Sequence, residues 1–133
     1  MNNRFKFRVW DKLAKRMIYP HNDNQQHFII DLNGRFHNLQ NGSGGDDYVI
    51  QQYTGLTDSN DDPIYEGDIL MYKSGSIPTT GVIGQVLYEA DHGGYIFQWE
   101  RKGPNQHHIN LNCDVAFESV IVGNILENPE LLK

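Results

Sequence analysis

Hydrophobic residues alternate with polar ones over short stretches of this chain, and turn residues interrupt the pattern before a helical period can develop. Near the start, Phe5, Phe7 and Val9 fall on one side and Arg4, Lys6, Arg8 and Trp10 on the other, the period of two that marks a half-buried strand. Residues 11–16 are polar and predict a turn, followed by a second short strand, Met17-Ile18-Tyr19, which Pro20 ends. After a polar loop at residues 21–26, residues 28–32 and 35–39 predict a hairpin. Its joint, Asn33-Gly34, is a pair that tolerates the positive φ angles of a primed turn. The glycine-rich residues 40–47 are expected to form a flexible loop.

The chain is organised around residues 51–70, where two apolar segments flank a polar run, residues 58–62, closed by Pro63. Such a run belongs in a surface loop. Beyond it, Ile64-Tyr65-Glu66-Gly67-Asp68-Ile69-Leu70 sets a turn between β-formers, with Gly67 supplying backbone freedom at the bend. Further strands are predicted at residues 68–73, 81–88, 95–99, 109–111, 115–117 and 119–125, with a loop at residues 74–80 and a turn at residues 102–105. Asn128-Pro129-Glu130 favours helix entry, with room for about one turn. The expected fold is mainly β with little helix: a small SH3-like barrel over residues 51–133 and a mixed, hairpin-containing region over residues 1–50, within one domain of residues 1–133.

Charge adds one feature to this picture. Residues 1–20 hold six basic side chains against Asp11, a net of +5, whereas the other 113 residues hold five basic and sixteen acidic ones, a net of −11. A basic head on an acidic body predicts that the two meet, within one chain or between copies. No apolar run is long enough to span a bilayer and the first residues lack the apolar segment of a signal peptide, so a cytoplasmic protein is expected. The one cysteine, Cys113, suits a reducing compartment and is expected to be a small buried hydrophobe.

The constellations that could carry chemistry are weak. Asp58, Asn60 and Asp62 have the spacing of the first calcium ligands of an EF-hand loop, but Pro63 stands where glycine is needed and Ile69 where a bidentate glutamate is needed. The six histidines form no zinc signature, and the adjacent His107 and His108 are expected on opposite faces of a strand. They are near enough in sequence to Cys113 to serve a thiol, but no nucleophile motif accompanies them. Glu66 and Asp68 could form a carboxylate pair in a cleft. The structural reading assigns Glu66 to turn hydrogen bonds or to an N-terminal arginine, and Asp68 to a cap on the bend. No catalytic residue, metal site or cofactor is therefore expected. Arg4, Lys6 and Arg8, with Trp10 at the end of the stripe, offer an anion- or nucleic-acid-binding surface, or a surface that pairs with acidic loops. Tyr53, Tyr65, Tyr72, Tyr88 and Tyr95 are expected in the core, in cross-strand pairs, or at an interface between copies.

Three blocks of this sequence resemble the YopX family of phage and prophage proteins. The central block is Gln52-Tyr53-Thr54-Gly55-Leu56 with Asp58 and Ile64-Tyr65-Glu66-Gly67-Asp68-Ile69. The N-terminal block is Lys6-Phe7-Arg8-Val9-Trp10-Asp11 with Lys15, Met17, Ile18 and Tyr19; the C-terminal block is Val122-Gly123-Asn124-Ile125 with Glu127-Asn128-Pro129-Glu130-Leu131-Leu132. The sequence departs from the family pattern at Asp61-Asp62-Pro63 and at Leu126. The resemblance implies a mainly β, barrel-containing protein of mobile elements that forms a homo-oligomer, a hexamer by analogy, and it supplies no catalytic residues. The function expected is a non-enzymatic, homo-oligomeric interaction module of a phage or prophage. The alternative is a nucleic-acid-binding accessory protein of phage replication or gene control.

Overall fold

The computed structural model of the chain describes residues 5–19, 27–73, 81–100 and 106–132. Arg4, the loops expected at residues 21–26 and 74–80, and the turn expected at residues 102–105 lie outside the described residues. The chain forms two compact units, Phe5–Gln52 and Tyr53–Lys133.

In the first unit, β1 (Phe7–Asp11) pairs antiparallel with β2 (Arg16–Ile18), Val9 lying opposite Ile18. On its other side β1 pairs with the first half of a long strand, β5 (Tyr48–Thr57), Val9 opposite Ile50 and Arg8 opposite Gln51. The turn between β1 and β2 is closed by Asp11, whose Oδ1 accepts the N–H groups of Leu13 and Ala14 at 3.1 Å each. A separate hairpin, β3 (Phe28–Ile30) and β4 (Phe36–Asn38), contributes Phe36 to a small core with Val9 and Ile18. The Phe36 ring lies 4.5 Å from that of Tyr48 and 5.5 Å from that of Phe28, centroid to centroid.

Two expectations for this unit are corrected. The hairpin loop is not a two-residue primed turn, because only Gly34 (φ 78°) has a positive φ and Asn33 does not. Instead the Asp31 carbonyl accepts from Gly34 N–H, and Asp31 and Arg35 close a three-residue loop through Asp31 N–H and the Arg35 carbonyl, the glycine standing at the bulge. The Asp31 side chain decides the choice, since its Oδ1 accepts from both Asn33 and Arg35 N–H. Residues 40–47 are also more structured than their glycines indicate. Asn38 N–H donates to the Ser43 carbonyl, Gly42 N–H to the Asn38 carbonyl, and a 3-10 turn, Gly45–Asp47, leads into β5.

In the second unit, the end of β5 pairs with β6 (Pro63–Tyr65). A five-stranded sheet follows, with β7 (Asp68–Tyr72), β8 (Val82–Glu89), β9 (Gly94–Glu100), β10 (Gln106–Asn110) and β11 (Ser119–Asn124) in the order β10-β9-β8-β7-β11. This sheet curls into a half-barrel, so the chain is mainly β with a barrel-like part, as its alternation predicts. Its inner face carries Leu70, Tyr72, Val86 and Phe97, which pack with Ile64, Leu111, Val115 and Ala116. The rings of Tyr72, Phe97, Trp99 and His107 stack in sequence at 5.5–5.8 Å.

Val115-Ala116-Phe117 is not a strand but lies in the one α-helix of the described residues, α1 (Cys113–Phe117). Asn112 Oδ1 accepts Val115 N–H at 3.0 Å, which satisfies an orphan donor of the first turn and makes helix the better local choice. Val115 and Ala116 turn into the core, while Phe117 and Cys113 are exposed. Cys113 is thus not the buried hydrophobe expected of it. Its position at the start of a capped helix sets it on the outer side. No helix among the described residues is long and apolar enough to cross a membrane.

Candidate functional site

The basic strand is the first candidate. The structure puts Arg8 inside, at 2% exposure, opposite Gln51 on β5. Its Nε donates to Gln51 Oε1 at 2.8 Å and its guanidinium lies 5.9 Å from the Tyr19 ring centroid. A buried arginine held in this way fixes strand pairing and packs its stem as an apolar group. It is not presented as an open phosphate contact. Lys6 and Trp10 are half-buried, and Arg4 lies outside the described residues, so the expected stripe is not a uniformly displayed row.

The second candidate is the central block. Tyr53 and Tyr65 lie directly opposite on β5 and β6, both buried, with ring centroids 5.8 Å apart. The register slips between Tyr53 and Thr57, where Gly55 takes a φ of 89° that a side chain would strain. Thr54 Oγ1 bridges that irregularity, donating to the Ile64 carbonyl at 2.8 Å and accepting Leu56 N–H. The bend from β6 into β7 is Glu66-Gly67, with Gly67 at φ 85°. It is fastened on three sides: Gly67 N–H donates to the Val86 carbonyl, the Gly67 carbonyl accepts from Ile125 N–H, and Asp68 Oδ2 accepts Tyr65 N–H at 2.8 Å. Asp68 is 2% exposed. Its carboxyl group therefore caps the bend rather than facing a cleft with Glu66.

Asp58 has a role that its sequence setting conceals. Its Oδ1 accepts from Asn60 and Asp62 N–H at 2.9 Å, and its Oδ2 accepts from Ile121 N–H at 3.0 Å. Both oxygens face backbone donors, which ties the 58–62 loop to β11, where Ser59 N–H also donates to the Ser119 carbonyl. Across the sheet from Asp68 stands Asn124, whose Oδ1 accepts from Leu126 and Glu127 N–H. Asn128 completes the corner: its Oδ1 accepts Asn124 N–H, and its backbone carbonyl accepts Leu131 N–H from the 3-10 turn Pro129–Leu132. The sequence signal for these roles is an Asp or Asn at the head of a polar turn. That pattern states that the side chain closes the turn but not that a distant strand joins it.

The remaining chemistry-bearing residues are dispersed. His107 stacks on Trp99 and His108 lies 5.4 Å from His92, so the adjacent histidines do take opposite faces. Among the described residues no group of three or more His, Cys, Asp and Glu gathers to hold a metal ion. One side-chain hydrogen bond is not marked by the sequence pattern: His37 Nε2 lies 3.0 Å from Asp31 Oδ2 on the β3–β4 hairpin. That hydrogen bond first, and the Arg35 N–H second, hold the Asp31 carboxyl below its ordinary range.

Comparison with known proteins follows the same outline. No curated protein matches the chain. Among solved structures, protein EF1440 from Enterococcus faecalis is similar at 28% identity and a TM-score of 0.58, over 96% of this chain and 97% of that one. The yopX protein of Bacillus subtilis shares the fold at 20% identity and a TM-score of 0.61, over 100% of both chains. The family model described as YopX protein matches residues 6–133, which contain all three signature blocks, and the chain belongs to the YopX family.

Proposed function

We propose that the protein is a non-enzymatic, homo-oligomeric interaction module encoded by a phage or prophage and working in the host cytoplasm. The observation that carries this reading is how the signature is used. Asp58, Asp68 and Asn124 are buried with oxygens bonded to backbone N–H groups, and Gly55 and Gly67 serve backbone geometry. A signature spent on architecture specifies a scaffold. Its displayed surface is where recognition would occur, and one face of the five-stranded sheet carries exposed Met71 directly opposite exposed Ile83, with Val120 on the other side of Met71. The nucleic-acid alternative loses support from the burial of Arg8.

Light scattering coupled to size exclusion, at low and high salt, tests the assembly. A defined oligomer is expected, and a monomer at all concentrations would overturn the reading. A turnover that Glu66→Gln or Cys113→Ser abolishes would overturn its non-enzymatic part.

A further inference from the structure

The two edges of the five-stranded sheet are treated differently. The β11 edge is closed by the chain itself, since Ser59 N–H and the Asp58 side chain bond to the backbone of Ser119 and Ile121, and a register shift between Ile121 and Gly123 breaks its regularity. The β10 edge has none of these devices: among the described residues it has β9 on one side and no strand on the other. Its five pairs with β9 run without a shift, and residues 106–110 contain no proline and no Asp, Glu, Lys or Arg. By contrast, the β2 edge of the other unit carries Lys15 and Arg16 at its start. An uncharged, regular edge is a template for a further strand.

The direction of its free groups follows from one bond. Leu111 N–H donates to the Tyr95 carbonyl, and this pair continues the β10–β9 register in which Ile109 faces Phe97 and His107 faces Trp99. In an antiparallel ladder, hydrogen-bonded pairs recur every second residue. The backbone groups of His107 and Ile109 therefore point to β9, and those of Gln106, His108 and Asn110 point away from it.

We propose that β10 pairs antiparallel with β10 of a second copy, on a two-fold axis through His108. The proposal rests on the homo-oligomer reading above and names its interface. In this register His108 bonds reciprocally to its own counterpart and Gln106 to Asn110 of the other copy, so every outward group of the strand meets a partner. His107 lies beside Ile109 of the other copy on the face that holds Phe97, which continues the apolar inner face across the junction. The absence of charged residues from the strand removes like-charge opposition, which a two-fold axis would otherwise impose on this acidic chain. A short edge alone buries little area, so the contact is expected to be concentration-dependent.

Two measurements on the full chain test it. The first is hydrogen exchange of the His108 and Asn110 amides in the wild type over a dilution series. They are expected to be protected at high concentration and to exchange at least about tenfold faster on dilution, while the inward-bonded Ile109 amide stays protected. The second is the mass of His108→Pro by light scattering. Proline is tolerated on an edge where its N–H would face outward, and it removes a pairing donor, so a folded variant of lower mass is expected. Fast exchange of both amides while the wild type is still oligomeric, or a folded His108→Pro of unchanged mass, overturns the interface and leaves the oligomer reading standing. Protection at every dilution also overturns it, because the chain would then cover its own edge. A wild type that is monomeric throughout overturns both.

Discussion

At the scale of single residues, buried carboxyl groups that serve backbone donors are the most consequential feature. Asp58 is 4% exposed and satisfies three N–H groups from two segments. Asp58→Asn keeps one carbonyl oxygen and must abandon either the loop donors or Ile121, so it is expected to cost about 1–3 kcal/mol in denaturant unfolding. Asp58→Ala should cost more, and equal stability of both variants with the wild type would show that the loop bonds are dispensable. Asp31 is the half-exposed counterpart. Its pKa is lowered in the folded chain, so its contribution is present above the unfolded value and is lost as pH falls through the folded one. An NMR titration following the Asn33 and Arg35 amides should give a midpoint below the ordinary aspartate value of about 3.9, and His37→Gln should raise it. Arg8 marks the limit of reading residues from pattern. Alternation correctly separates it from Val9, but a period of two says which side a residue occupies and not whether that side meets water.

Among the elements, most strands were legible because their alternation is local, whereas the length of β5 and the helix α1 were not. Val115 and Ala116 are adjacent apolar residues, a spacing that a buried strand and one turn of helix share, and Asn112 arbitrates through its cap. Asn112→Ala is therefore expected to cost about 1 kcal/mol and to speed exchange of the Val115 amide, and an unchanged exchange rate would deny the cap its role. The β8–β9 pairing makes a sharper test. A Cβ at Gly84 would collide with the Gln98 carbonyl oxygen and lie 2.8 Å from Phe97 Cε2. Since the first of these is backbone, relief requires β9 to move, and Gly84→Ala should destabilise by about 1–3 kcal/mol. Nothing in the sequence singled out Gly84 from the other glycines, because the close approach arises only once β8 and β9 are in register.

For the whole molecule, stability should follow the two kinds of sheet that the chain builds. In the five-stranded sheet, Ile69, Leu70, Val86 and Phe97 have no exposed surface, and β7, β8 and β9 each have a paired strand on both sides. The β3–β4 hairpin is a two-stranded sheet of three-residue strands, with Ile29 and Leu32 exposed, and a sheet of that size is marginal without support. Its support is Phe36 in the small core with Val9 and Ile18. Native-state hydrogen exchange should accordingly open the hairpin first, with the cross-strand-bonded amides of Ile29 and His37 exchanging at a lower free energy than those of Leu70, Val86 and Phe97. Phe36→Ala should widen the gap, because removing a buried phenyl ring costs about 3–5 kcal/mol and the loss falls on the smaller core. If hairpin and five-stranded sheet instead opened with one free energy in both proteins, the chain would unfold as a single cooperative body, and its two compact units would have no separate energetic identity.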